Sequence, residues 1–160
     1  MRRNHILTIL GVVLAAAGAA WWWTAGQGSG DGVSRIDPTD AELVALGDRV
    51  YAENCAACHG AGLEGQANWR SRKADGRMPA PPHDATGHTW HHDDATLFMV
   101  TKYGPQAIVG NDYQSDMPAY DGTLRDADIR AVLAYIKSTW PAQIRERQAL
   151  LTQQAERSGS

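Results

Sequence analysis

Cys55-Ala56-Ala57-Cys58-His59 sets two thiols three residues apart and an imidazole directly after the second. Each of these side chains has a task in holding one haem: the thiols add to its two vinyl groups, and the imidazole reaches the iron. Two other chemistries use a Cys-x-x-Cys pair. A dithiol redox centre wants a surrounding βαβ pattern, and no strand alternation runs through this chain. A zinc site wants a second ligand pair at regular spacing, and only scattered histidines are on offer. The chain has no other cysteine, so no disulfide framework staples the fold. The motif therefore reads as the attachment site of one haem c per chain, with Cys55 and Cys58 as the covalent links and His59 as an iron ligand.

The elements that must position this motif are helical, and the spacing predicts an all-α domain. Asp37-Pro38-Thr39-Asp40-Ala41-Glu42 is a helix start in which Thr39 and Glu42 have capping-box spacing. Leu43, Leu46, Val50 and Asn54 mark one face of that helix, which runs into the CAACH motif and is broken by Gly60 and Gly62. From Gly60 to His92 the chain is rich in Gly, Pro, His and Arg without periodicity; a large ligand could organise so long a loop. Asp93 or Asp94 caps a second helix through Leu97, Phe98 and Val100 to about Tyr103, closed by Gly104-Pro105. A last helix starts at Thr123, with Asp126 near the capping-box position. It runs through Ile129, Val132, Leu133, Ile136 and Trp140 to Pro141. Residues 142–160 read as a polar, helix-prone and partly ordered tail.

Ahead of the domain, Ile6 to Trp23 is an apolar run interrupted only by Thr8, preceded by Arg2 and Arg3. It is long enough to cross a hydrocarbon core of ~30 Å. The three indoles Trp21 to Trp23 fit an interfacial belt, so residues 1–26 are expected to form a signal-anchor or transmembrane segment; Ala17, Ala19 and Ala20 leave open a cleaved signal. Either way the domain is exported. Residues 27–36 are the flexible linker and residues 37–141 the folded domain. Beyond Arg2 and Arg3, 13 basic residues face 18 acidic ones. That balance disfavours nucleic acid or anionic lipid headgroups as main partner and suits docking to a basic patch.

With Gly47 and Tyr51 before CAACH, the late Asp116-Met117-Pro118-Ala119-Tyr120 segment and a final helix carrying Ala131 to Trp140, the chain resembles a class I cytochrome c over about 37–141. The resemblance implies three main helices around one haem, the first and last crossing at Gly47 with Tyr51 and Tyr135 packed beside it. It also implies a methionine sulfur on the second face of the iron. Met1 is the start residue, and Met99 sits among apolar neighbours on the second helix, where core packing explains it. Met117 lies in a polar irregular stretch with little to pack against, and it matches the family's Met-Pro position. Met78, which also precedes a proline, a histidine, or an open site remain alternatives.

The free N–H of His59 needs a carbonyl acceptor; the resemblance puts it in the proline-rich loop, at Pro81 or Pro82, unless these prolines only stiffen it. Trp69, Arg70, Arg72 and Arg77 read as propionate neighbours or as solvated loop charges. His83, His88, His91 and His92 around Trp90 read as loop and propionate hydrogen-bonders with Trp90 on the porphyrin, or else as a copper or zinc site. The expected function is non-catalytic, with no small-molecule substrate. It is one-electron transfer between respiratory-chain components on the periplasmic side of the cytoplasmic membrane, with partners such as a quinol-oxidising cytochrome bc complex or a haem-copper terminal oxidase. The alternative is a haem-based sensor or a copper-handling haem protein using the His88 to His92 loop.

Overall fold

The computed structural model describes residues 35–110 and 112–159. The expected membrane segment and most of the expected linker lie outside the described residues. No helix among the described residues is long and apolar enough to cross a membrane, and no strand occurs among them. The elements are helix α1 (Ala41–Asn54), a short α2 (Ala56–His59), a 3-10 turn (Thr89–His91), α3 (Asp94–Val109), α4 (Asp126–Ser138) and α5 (Ala142–Ser158).

The core is built on the crossing of α1 with α4, the most extensive helix contact among these elements. In α4, Ile129, Val132, Leu133 and Ile136 repeat at helical spacing, and all are at most 3% exposed. From α1, Gly47, Val50 and Tyr51 are buried against it. A Cβ on Gly47 would overlap the Ala131 carbonyl and come within 2.8 Å of the Tyr135 Cβ, so the two backbones meet where only glycine fits. Tyr51 and Tyr135 pack at this crossing with ring centroids 5.4 Å apart, as the resemblance implies.

Helix boundaries shift where a neighbouring group competes for the cap. Asp40, not Thr39, caps α1, its carboxylate accepting from the backbone N–H groups of Glu42 and Leu43 at 3.0 Å. Thr39 is engaged instead with Asp37, donating from its hydroxyl at 2.7 Å. Helix α4 starts at Asp126 rather than Thr123, because Thr123 and Leu124 turn back onto the Tyr120 carbonyl. Its first turn is closed by Asp128, which accepts from the backbone and guanidinium of Arg125. Helix α3 is broken at Gly104 (φ 79°) and resumes through Pro105 to Val109, so the expected stop is a kink. Met99, expected in the core, is 39% exposed; it falls on the opposite side of α3 from Leu97, Phe98 and Thr101.

The stretch expected to be a partly ordered tail forms the 17-residue α5. It is docked by polar groups, which hydropathy patterning does not register. Gln148 is fully buried and donates to the Asp94 carboxylate at 2.8 Å, and the Thr152 hydroxyl accepts from the Asp94 backbone N–H. Asp94 also takes an ion pair from Lys137 of α4 at 2.6 Å and the backbone N–H of Ile36 at 2.8 Å. Ile36, assigned to the linker by composition, is therefore packed into the domain at 2% exposure.

Candidate functional site

The CAACH motif occupies the sharp junction between α1 and α2. Cys55 closes α1 by donating to the Tyr51 carbonyl, and the backbone N–H groups of Cys58 and His59 both return to the Cys55 carbonyl at 3.1 and 2.9 Å. One turn of helix thus places the two thiols and the imidazole together. The thiols are free; Cys55 is half-buried and Cys58 exposed. Burial, with the neighbouring Cys58, pushes the Cys55 thiol up to about 11.

His59 is 7% exposed, and its Nδ1 lies 2.8 Å from the Pro81 carbonyl oxygen. A carbonyl only accepts, so the proton must sit on Nδ1, and Nε2 keeps its lone pair for a metal. Burial holds the ring below the ordinary histidine range, which favours the neutral, ligating form. Pro81, rather than Pro82, is thus the carbonyl that orients the imidazole. Its loop is aligned by backbone bonds from Gly65 to the His59 carbonyl at 2.7 Å and from His83 to the Leu63 carbonyl at 2.8 Å. Leu63 adopts a left-handed conformation (φ 66°), a strained choice for a non-glycine residue, and its carbonyl receives both His83 and Asp84. The His83 ring stacks on His59 with centroids 4.0 Å apart, a contact that spacing did not reveal.

Met117 is half-buried in a segment pinned on both sides. On one side Asp116 takes ion pairs from Lys73 and Arg77, each at 2.6 Å. On the other, Tyr120 and Asp121 donate backbone N–H groups to the Thr101 and Lys102 carbonyls of α3. Ala119 rests against Gly104, whose added Cβ would lie 3.4 to 3.6 Å from it. Met78 is also half-buried, in the loop between Arg77 and Pro79.

The loop residues expected around the haem edge divide into two groups. Arg70 lies over the Trp69 ring at 4.0 Å and Arg72 donates to the Gly76 carbonyl at 2.7 Å, so both are engaged within the loop. Arg77 Nε and Trp90 Nε1 are buried donors without a partner among the described residues, a condition that calls for an acceptor. Trp90 stacks on His91 at 3.7 Å and lies under Arg147 of α5 at 5.0 Å. His88 stacks on Trp69 and meets His92 edge-on. Among the described residues no group of three or more His, Cys, Asp or Glu side chains is placed to hold a metal ion, so the histidine loop gives the copper or zinc reading no support.

These residues fit a covalently held haem. Two free thiols share one helical turn, a neutral imidazole presents Nε2, and two buried donors of the intervening loop lack a partner among the described residues. Two tyrosines named in the sequence for their packing or position also make hydroxyl bonds that the sequence did not indicate. The Tyr51 hydroxyl donates to the Gly60 carbonyl at 2.8 Å, and the Tyr120 hydroxyl to the Asn54 carbonyl at 2.6 Å.

Residues 44–140 match the family model described as Cytochrome c. Over 97 residues the chain is 35% identical to the cbb3-type cytochrome c oxidase subunit CcoP of Azospirillum sp., covering 61% of this chain and 29% of that subunit. It is 34% identical over 99 residues to cytochrome c6 of Picosynechococcus sp., covering 62% of this chain and 75% of that protein. A third relative, the cbb3-type oxidase subunit FixP of Bradyrhizobium diazoefficiens, is 30% identical over 96 residues and is covered over 27% of its length. The chain thus spans less than a third of the oxidase subunits that it matches. No solved structure gives a significant match.

Proposed function

This chain belongs to the cytochrome c family, and on that premise we propose that it is a one-electron carrier in which His59 and Met117 would hold the haem iron. Haem c is the cofactor, attached through Cys55 and Cys58; when bound it supplies the one-electron couple of its iron. The observation that carries the reading is the 2.8 Å contact between His59 Nδ1 and the Pro81 carbonyl, which fixes the tautomer and aims Nε2. A hydrogen-bonded imidazole is also a more basic ligand.

The rest of the chain's part is positional and electrostatic. Met117 is the second ligand in this reading because its segment is held on both sides and it occupies the family's Met-Pro position; a thioether there would raise the potential. Exposure of Cys58 puts one attachment point at the surface, where an electron needs only a short path to a docked partner. The chain itself is non-catalytic in this reading.

The working place is the outer side of the cytoplasmic membrane, between respiratory-chain components, with a haem-copper terminal oxidase as acceptor. Support comes from relatives named as subunits of cbb3-type oxidases and from the apolar Ile6 to Trp23 run behind Arg2 and Arg3, which favours anchoring with the domain outside.

Ferric spectra and carbon monoxide binding test the ligand set. Met117→Ala should lose the thioether-to-iron charge-transfer absorption and bind carbon monoxide rapidly when reduced, while the parent is inert. Unchanged absorption and inertness in Met117→Ala would sink the assignment. For the partner, the reduced full chain should be reoxidised in air by a cbb3-type oxidase; a reduced spectrum that persists removes that acceptor.

A further inference from the structure

The Tyr120 hydroxyl crosses from the Met117 segment to the Asn54 carbonyl at 2.6 Å. Asn54 is the last residue of α1 and directly precedes Cys55. Carbonyls at a helix end have no partner within the helix, and the hydroxyl supplies one. Tyr120 itself is 8% exposed. Burial pushes its pKa up to about 12, so the group remains a donor.

We infer that Tyr120 is a positioning residue for the second iron ligand, its hydroxyl tying the Met117 segment to the chain that carries Cys55 and His59. The inference rests on the His59 and Met117 reading above and adds the part that sets their separation. The other restraints on the segment run elsewhere. The backbone bonds of Tyr120 and Asp121 reach α3, and Asp116 reaches the Lys73 and Arg77 loop. None of these bonds refers the segment to the helix that carries the haem attachment. The tyrosine bond does so, three residues from Met117 and one residue from Cys55. Removing it leaves the Asn54 carbonyl unpaired and lets the sulfur spread over positions away from the iron. A competing ligand then gains whatever the methionine loses.

The experiment is a titration of the ferric, haem-loaded full chain with imidazole, followed by the thioether-to-iron absorption. Tyr120→Phe keeps the ring and its packing. It is expected to raise the apparent imidazole affinity roughly tenfold, the worth of one buried hydrogen bond whose acceptor is left unmade, and to weaken the absorption before any imidazole is added. Ile136→Val, which trims the α4 core at comparable cost to stability, should retain the parent affinity. If Tyr120→Phe titrates like Ile136→Val, the hydroxyl serves packing alone and the inference is overturned. Met117→Ala in the same series separates the two claims, since an affinity and absorption equal to the parent's would remove Met117 as ligand, and the reading beneath the inference with it.

Discussion

Lys137 and Asp94 form a 2.6 Å ion pair whose side chains are 5% and 0% exposed. Burial lowers the Lys137 pKa and the Asp94 charge acts to restore it. The pair is enclosed by further bonds: Lys137 also donates to the Ile36 carbonyl at 2.8 Å, and Asp94 accepts from Gln148 and the Ile36 backbone. Such a pair is costly to assemble and more costly to break. Lys137→Met should destabilise the domain by about 3–5 kcal/mol, because Asp94 would stay buried without its counter-charge. Urea unfolding measures this, and a loss under about 1 kcal/mol would show that Asp94 finds another cation or water.

Truncation after Pro141 should cost about 2–3 kcal/mol, since Asp94 loses its bonds from Gln148 and to Thr152 at about 1 kcal/mol each. The Trp90 ring loses its Arg147 cover at the same time. Thermal unfolding of the truncated haem-loaded domain checks this; an unchanged midpoint would mean that α5 rests on the domain without holding it.

At the α1–α4 crossing, Gly47→Ala should destabilise by about 3 kcal/mol or prevent folding, because the added methyl meets the Ala131 backbone rather than a movable side chain. Ala131→Gly should not rescue it, since the obstacle is a carbonyl group. Recovery of parent stability in the double variant would place the clash elsewhere.

Acid stability should depend on Asp128. Hydrogen bonds and charge from Arg125 hold its carboxyl below the usual range. The unfolded chain therefore takes up this proton more readily, and the contribution is present above about pH 3.9, the unperturbed value, and lost as pH falls through the folded pKa. Asp128→Asn should remove that portion of the pH dependence. Identical stability profiles of parent and variant below pH 4 would show that the Arg125 pair is not formed in solution.

Haem retention after denaturation should follow the cysteines. A Cys55→Ala, Cys58→Ala double variant should release all its porphyrin in acid and organic solvent, whereas each single variant keeps it through one thioether. Mass spectrometry reads the outcome directly, and porphyrin mass retained on the double variant contradicts attachment at these positions.

Local pattern made much of this protein legible. Five residues, Cys55 to His59, name a cofactor because no other chemistry needs two thiols and an imidazole at that spacing in a chain without further cysteines. The apolar repeat of Ile129, Val132, Leu133 and Ile136 fixes the buried face of α4, since helical periodicity is a local property. Gly47, Tyr51 and Tyr135 came from a resemblance, and the structure gives the reason: two backbones in contact.

Only the tertiary structure decided which carbonyl meets His59, that Tyr120 reaches Asn54 across 66 positions of sequence, and that polar residues 142–158 dock as a helix. These depend on where the chain crosses itself. A buried Asp94 is indistinguishable in sequence from a solvated one until Lys137 and Gln148 arrive from two other helices to satisfy it. Hydrophobic periodicity records which residues avoid water; it carries no record of polar groups that leave water in each other's company.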